Sequence, residues 1–148
     1  GQTTPLDDGD AIYAYGGEVG GGGDGVSGPL QDPAVAAAVA QLGRVIYFEF
    51  DSAEVSLEAQ PLIERHAALL RDNPQVQVVL EGHADERGTR EYNIGLGERR
   101  SQAVRRLLTA FGVSPQQLDW VSYGEERPLT FGQDELSYSR NRRVEIVY

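Results

Sequence analysis

A chain of 148 residues has the size of one domain with a tail, too short for two full cores joined by a linker. Hydrophobic residues at 40% and charged residues at 24% are ordinary for a globular protein, and no stretch approaches the roughly 18 apolar residues of a membrane-spanning helix. The net charge of -10 gathers at one end: Asp7, Asp8, Asp10, Glu18, Asp24 and Asp32 meet no base in the first 32 residues, which leaves the remainder near -4 and argues against nucleic acid as a partner. Zero Cys removes disulfides, thiolate catalysis and cysteine metal sites. Zero Met, with Gly at position 1, makes this sequence the expected remainder of a longer product whose targeting peptide or lipid site lies upstream.

Residues 1–32 show no hydrophobic period, and Gly20-Gly21-Gly22-Gly23-Asp24-Gly25 reads as a flexible, acidic tether. One Gly-rich copy ending in Asp does not make a calcium site of the stacked-repeat kind. Asp32-Pro33 opens a short helix that runs through Ala34 to Leu42 and stops at Gly43. Arg44 to Phe50 is β-branched and aromatic and forms the first strand, with Ile46, Phe48 and Phe50 on one side. A helix starting between Ser56 and Pro61 carries Leu62, Ile63, His66, Leu69 and Leu70 on one face and ends at Asn73-Pro74.

The second strand is Gln75 to Gly82. A polar loop from His83 to Tyr92 leads into a long helix from about Asn93 to Phe111, closed by Gly112. Ser114-Pro115 caps one short turn, Asp119 to Tyr123 is a third strand, Gly124 to Ser139 is mostly loop with room for a turn of helix, and Arg143 to Tyr148 is the fourth strand. The order β-α-β-α-β-β predicts an α+β fold over 33–148, with helices on one face of a mixed four-stranded sheet.

The long helix places Arg100 on the apolar stripe of Leu96, Ala103, Val104, Leu107, Leu108 and Phe111. A guanidinium there needs a carboxylate or a ligand. The preceding loop supplies Asp85, and Gly88 allows a turn of positive φ that folds the loop over the helix start, close to Asn93. Asp85 and Arg100 then either neutralise each other or act together as a clamp for a zwitterion, the carboxylate taking an ammonium and the guanidinium a carboxylate.

The run Gly82-His83-Ala84-Asp85-Glu86-Arg87-Gly88-Thr89, with Tyr92-Asn93, Leu96-Gly97-Glu98-Arg99-Arg100 and Ala103-Val104, resembles the peptidoglycan-binding signature of OmpA-like domains, and within them the peptidoglycan-associated lipoprotein branch. Phe48-Glu49-Phe50-Asp51, Ser122-Tyr123-Gly124 and Tyr138 to Val144 extend the resemblance across about residues 44–148. It implies the OmpA-like sandwich fold and non-covalent binding to the diaminopimelate of the peptidoglycan stem peptide, with Asp85 receiving the ammonium and Arg100 the carboxylate. It further implies backbone donors at Phe50 and Asp51, and a pocket shaped by Ala84, Thr89, Asn93 and Leu96. At least one of Arg142 and Arg143 is expected to be structural.

The same resemblance implies a periplasmic protein, lipid-anchored to the outer membrane and acting in the Tol-Pal system in envelope integrity and cell division, with a TolB-like propeller protein among its partners. The anchoring Cys is absent from this sequence. No cofactor is expected. Enzyme chemistry has little material: there is no Cys and no Gly-x-Ser-x-Gly, His66 reads as a core residue, and His83, Asp85 and Glu86 make a poor metal set. The alternative reading is a docking module in which Asp85 and Arg100 form a structural pair. The clamp predicts that Arg100→Ala folds but no longer binds the wall. A domain cut from a barrel or a motor stator does not suit the Gly-rich acidic segment that precedes it.

Overall fold

The computed structural model describes residues 32–148; apart from Asp32, the expected tether lies outside them. Asp32 accepts a hydrogen bond from the Ala34 amide at 2.9 Å and Pro33 supplies the first helical φ, so α1 runs Pro33–Ala40. Then follow β1 (Val45–Tyr47), α2 (Gln60–Asp72), β2 (Val78–His83), α3 (Arg90–Ala110), a 3-10 turn (Pro115–Gln117), β3 (Leu118–Gly124), α4 (Glu135–Asn141) and β4 (Arg143–Val147). The sheet order is β1-β4-β2-β3, with β2 and β3 parallel and β4 antiparallel to both of its neighbours, which is the mixed four-stranded sheet expected.

Register decides which residues form the core. Leu80 lies opposite both Trp120 and Ile146, Val78 opposite Leu118, and Ile46 opposite Val144. These seven residues share one face and are buried together with Val35 and Val39 of α1, Ile63, Ala67 and Leu70 of α2, and Val104 and Leu108 of α3. The other face carries Glu81 opposite Glu145, in keeping with a period of two.

Besides β2, which runs Val78–His83 where Gln75 to Gly82 was expected, three boundaries differ in ways that bear on the site. The first strand stops at Tyr47: Ile46 and Phe48 are buried, but Phe50 swings out to 57% exposure because Asp51 adopts a left-handed φ of 54° that turns the chain. The long helix begins at Arg90, three residues sooner, because the Thr89 hydroxyl caps the Tyr92 amide at 3.0 Å and the polar residues behind it wind into the first turn. Residues 135–141 are a helix within the expected loop, opened by Asp134, whose carboxylate accepts from the Ser137 amide at 2.9 Å.

His66 is fully buried, as its place on the apolar stripe predicts; its Nε2 faces the Gly43 carbonyl at 2.7 Å and its Nδ1 the Tyr148 hydroxyl at 2.6 Å. Burial is the main reason its pKa lies below the usual value, so it is neutral in the fold, with Nε2 donating to the carbonyl and Nδ1 accepting from Tyr148.

Candidate functional site

The site forms where the end of β2, the loop after it, the first three turns of α3 and the turn after β1 converge. A close crossing sets this geometry. Gly82 of β2 and Gly97 of α3 lie so near that a Cβ on Gly82 would fall 1.8 Å from the Gly97 carbonyl oxygen, and one on Gly97 would fall 2.3 Å from Ser122 Oγ. With no side chain between them, α3 rests directly on the sheet and Arg100, one turn further on, reaches the strand ends.

The fully buried Arg100 is a tie between three segments: Nε donates to the Ser52 carbonyl at 2.7 Å, Nη1 to that of His83 at 2.8 Å and Nη2 to that of Glu49 at 3.1 Å. Those bonds use three of its five N–H groups and leave two for a ligand. Burial first, and Arg142 second, bring its pKa down to about 10, so it stays charged at neutral pH.

Asp85, only 4% exposed, does not pair with Arg100. Its Oδ1 accepts from the Arg87 amide at 3.0 Å and from Arg87 Nε at 3.2 Å, and its Oδ2 accepts from Arg87 Nη2 at 2.9 Å and Arg142 Nη1 at 3.4 Å. Burial pushes the Asp85 carboxyl up, but the bonds and charge of Arg87, helped by Arg142, outweigh it and hold the group below the usual carboxylate range. The pair of Asp85 with Arg100 that spacing left open as a structural contact is therefore replaced by partners two and 57 residues away along the chain.

Between these groups lies a cavity of about 260 Å³. Of the eight residues singled out in the sequence, Phe50, Asp51, Ala84, Asp85, Asn93, Leu96 and Arg100 line it; Thr89 does not, being spent on the helix cap. Gly88 takes the positive φ expected of it, 97°. Asn93 ties the loop to the helix: its Nδ2 donates to the Arg87 carbonyl at 3.0 Å and to Glu125 Oε1 at 2.6 Å. Arg87, Gly88 and Tyr92 complete the lining, and the Tyr92 hydroxyl donates to Asp51, holding the left-handed turn in place.

The two arginines near the end of the sequence divide their work. Arg143 is buried and structural, binding Glu145 at 2.6 Å and the carbonyls of Asn141 and Arg127. Arg142 links the site to the fold, with Nε on the Phe48 carbonyl at 2.9 Å, Nη1 on Asp85 and Nη2 on Glu135 at 2.8 Å. His83 is buried and stacked on Tyr123 with ring centroids 5.6 Å apart, and among the described residues no three His, Asp or Glu side chains gather as metal ligands would.

Comparison with known proteins matches residues 47–142 to the OmpA family. The chain is 52% identical over 121 residues to the peptidoglycan-associated lipoprotein of Pseudomonas aeruginosa, covering 82% of this chain and 69% of that protein, and 45% identical over 112 residues to the one from Haemophilus influenzae, covering 76% and 73%. The crystal structure of the peptidoglycan-associated lipoprotein from Burkholderia pseudomallei superposes with a TM-score of 0.72 at 44% identity, covering 81% of this chain and 98% of that one. The C-terminal domain of Helicobacter pylori MotB follows at 0.64 and 27%, covering 69% and 81%. A family match that takes in α2, β2, α3, β3 and the cavity, with close relatives over most of the chain, shows that this protein belongs to the OmpA family, among its peptidoglycan-associated lipoproteins.

Proposed function

We propose that the domain binds peptidoglycan without covalent chemistry, gripping the diaminopimelate of the stem peptide between Asp85 and Arg100. The observation that carries this reading is an acid and a guanidinium lining one cavity without pairing with each other, the arrangement a zwitterion needs at its two ends. Arg100 offers its two remaining N–H groups to the ligand carboxylate, and the Phe50-Asp51 turn offers backbone amides beside it. Thr89 acts through the cap, holding the helix that carries Asn93, Leu96 and Arg100. An ionised Asp85 suits ion pairing and not proton transfer at neutral pH, in keeping with a binder and not an enzyme.

In the cell, this reading makes the protein a periplasmic link from the outer membrane to the wall, lipid-anchored upstream of the sequence described and working within the Tol-Pal system during growth and division. The cavity mouth, with Phe50 57% and Tyr92 46% exposed, supports a second use as a docking face for a TolB-like partner.

Co-sedimentation with sacculi tests the first reading. The protein is expected to pellet with diaminopimelate-type sacculi and not with lysine-type sacculi, and Asp85→Asn, shown to be folded by the fluorescence of its single tryptophan, Trp120, is expected to stay in the supernatant. Equal binding to both walls, or none, would remove diaminopimelate as the ligand and leave docking as the function.

A further inference from the structure

The Asp85 carboxylate, proposed above as the receiver of an ammonium, has no room for one in this structure. A carboxylate offers about four acceptor positions. All four are taken: two donors on Oδ1 and two on Oδ2. One donor is the Arg87 backbone amide and another is Arg142, which is 4% exposed and fixed by the Phe48 carbonyl and Glu135. The remaining two come from the Arg87 guanidinium, whose side chain is 36% exposed. It is the one group at this carboxylate that can leave without unfolding anything.

Its surroundings also provide a place to go. The guanidinium carbon lies 4.1 Å from the centre of the Phe50 ring and 4.3 Å from that of Tyr138, a slot between two aromatic walls. At 3.7 Å from Arg87 Nη2 stands Glu135, whose side chain is 69% exposed. A guanidinium sliding along the slot exchanges one carboxylate for another and keeps its ring contacts, so its charge is never left unpaired.

We infer that Arg87 is an internal occupant of the cation end of the cavity, which an incoming ligand ammonium displaces from Asp85 toward Glu135. The inference rests on the binding reading above and adds to it a residue that sets the threshold affinity. A protein that fills its own subsite lowers every ligand's apparent affinity by the fraction of time the subsite is free. Because that factor multiplies all ligands alike, Arg87 sets how strong a ligand must be, and Arg100, through the carboxylate, sets which ligand it is.

Calorimetric titration of the whole chain with two soluble muropeptides, one with a diaminopimelate and one with a lysine stem peptide, tests this on the wild type and Arg87→Gln. A bidentate, partly exposed and stacked ion pair implies that Arg87→Gln binds the diaminopimelate muropeptide roughly three- to tenfold more tightly, and the lysine one, held by both proteins too weakly to pellet a wall, more tightly by the same factor. In parallel, the Arg87 Nε–H resonance of the wild type is expected to lose its protection from solvent exchange when the diaminopimelate muropeptide saturates the site, and to lose it without ligand in Asp85→Asn. Wild-type binding that Arg87→Gln leaves unchanged or weakens, or an Nε–H that stays protected in the complex, overturns the displacement and makes Arg87 a ligand contact or a bystander. Binding of neither muropeptide by either protein overturns the peptidoglycan reading itself, and the displacement with it.

Discussion

Arg100 shows how one side chain can serve the fold and the site together. A charge on an apolar helix stripe needs a partner, and the sequence offered either the loop acid Asp85 or a ligand. The structure answers the charge with three carbonyl oxygens, from Glu49, Ser52 and His83, which converge on it from the turn after β1 and the end of β2. Carbonyls carry no net charge, so the guanidinium stays cationic and available while its position is fixed. This revises the expectation that Arg100→Ala folds normally. That variant leaves buried acceptors without donors and is expected to lose at least about 3 kcal/mol of stability, read as a lower urea midpoint by Trp120 fluorescence. Arg100→Lys keeps the charge but cannot reach three carbonyls at once, so it should fall between the two. An Arg100→Ala midpoint equal to the wild type would mean that the three bonds hold nothing in place.

At the scale of elements, the crossing of α3 over β2 matters most, because it fixes Asn93, Leu96 and Arg100 relative to the loop that carries Asp85. Gly82→Ala would drive a methyl into the Gly97 carbonyl, which is backbone, while Gly97→Ala meets the tip of Ser122 first and the Gly82 carbonyl at 2.9 Å. Both are expected to destabilise, Gly97→Ala by about 1–3 kcal/mol and Gly82→Ala by more, with muropeptide binding weakened in step as α3 lifts. Denaturant melts of the two variants would check the order, and the reverse order would place the tight spot elsewhere.

The sequence made α2 and α3 readable because each buries a stripe at helical spacing, and it made the strands readable because they alternate. It marked α4 only as room for a turn within a loop and left it unplaced, because these seven mostly polar residues depend for their helix on the Asp134 cap and on Arg142 holding Glu135. Nor could it reveal Arg142 at Asp85, since a contact 57 residues away leaves no local pattern. The cavity was legible through a family signature. Its internal guanidinium was not, because nothing in a run of Asp-Glu-Arg-Gly tells which acid the arginine folds back upon.

Across the whole molecule, His66 joins three distant places: α2, the Gly43 turn before β1, and Tyr148 beyond β4. Its pKa is lowered in the fold, as is that of His83, chiefly by burial in both cases. The unfolded chain therefore takes up protons near pH 6.5 that the folded one refuses, and stability is full above that value and declines as the pH falls below it. Urea midpoints between pH 8 and 5 should trace this decline, and His66→Gln, less stable at pH 8, should show a shallower one. An unchanged slope would assign the decline to His83 and the carboxylates.

The sheet order carries a consequence for how such a chain comes into being. β4 is the last strand in sequence, yet it lies in the middle, joining β1 on one side to β2 on the other. A chain emerging from a ribosome or a translocation pore can bring β2, α3 and β3 together early, but β1 waits with no neighbour until nearly a hundred further residues have come through. Arg142, which steadies Asp85, arrives at the same late moment, one residue ahead of β4. The sheet therefore closes, and the binding site assembles, only once residues 142–147 have been delivered.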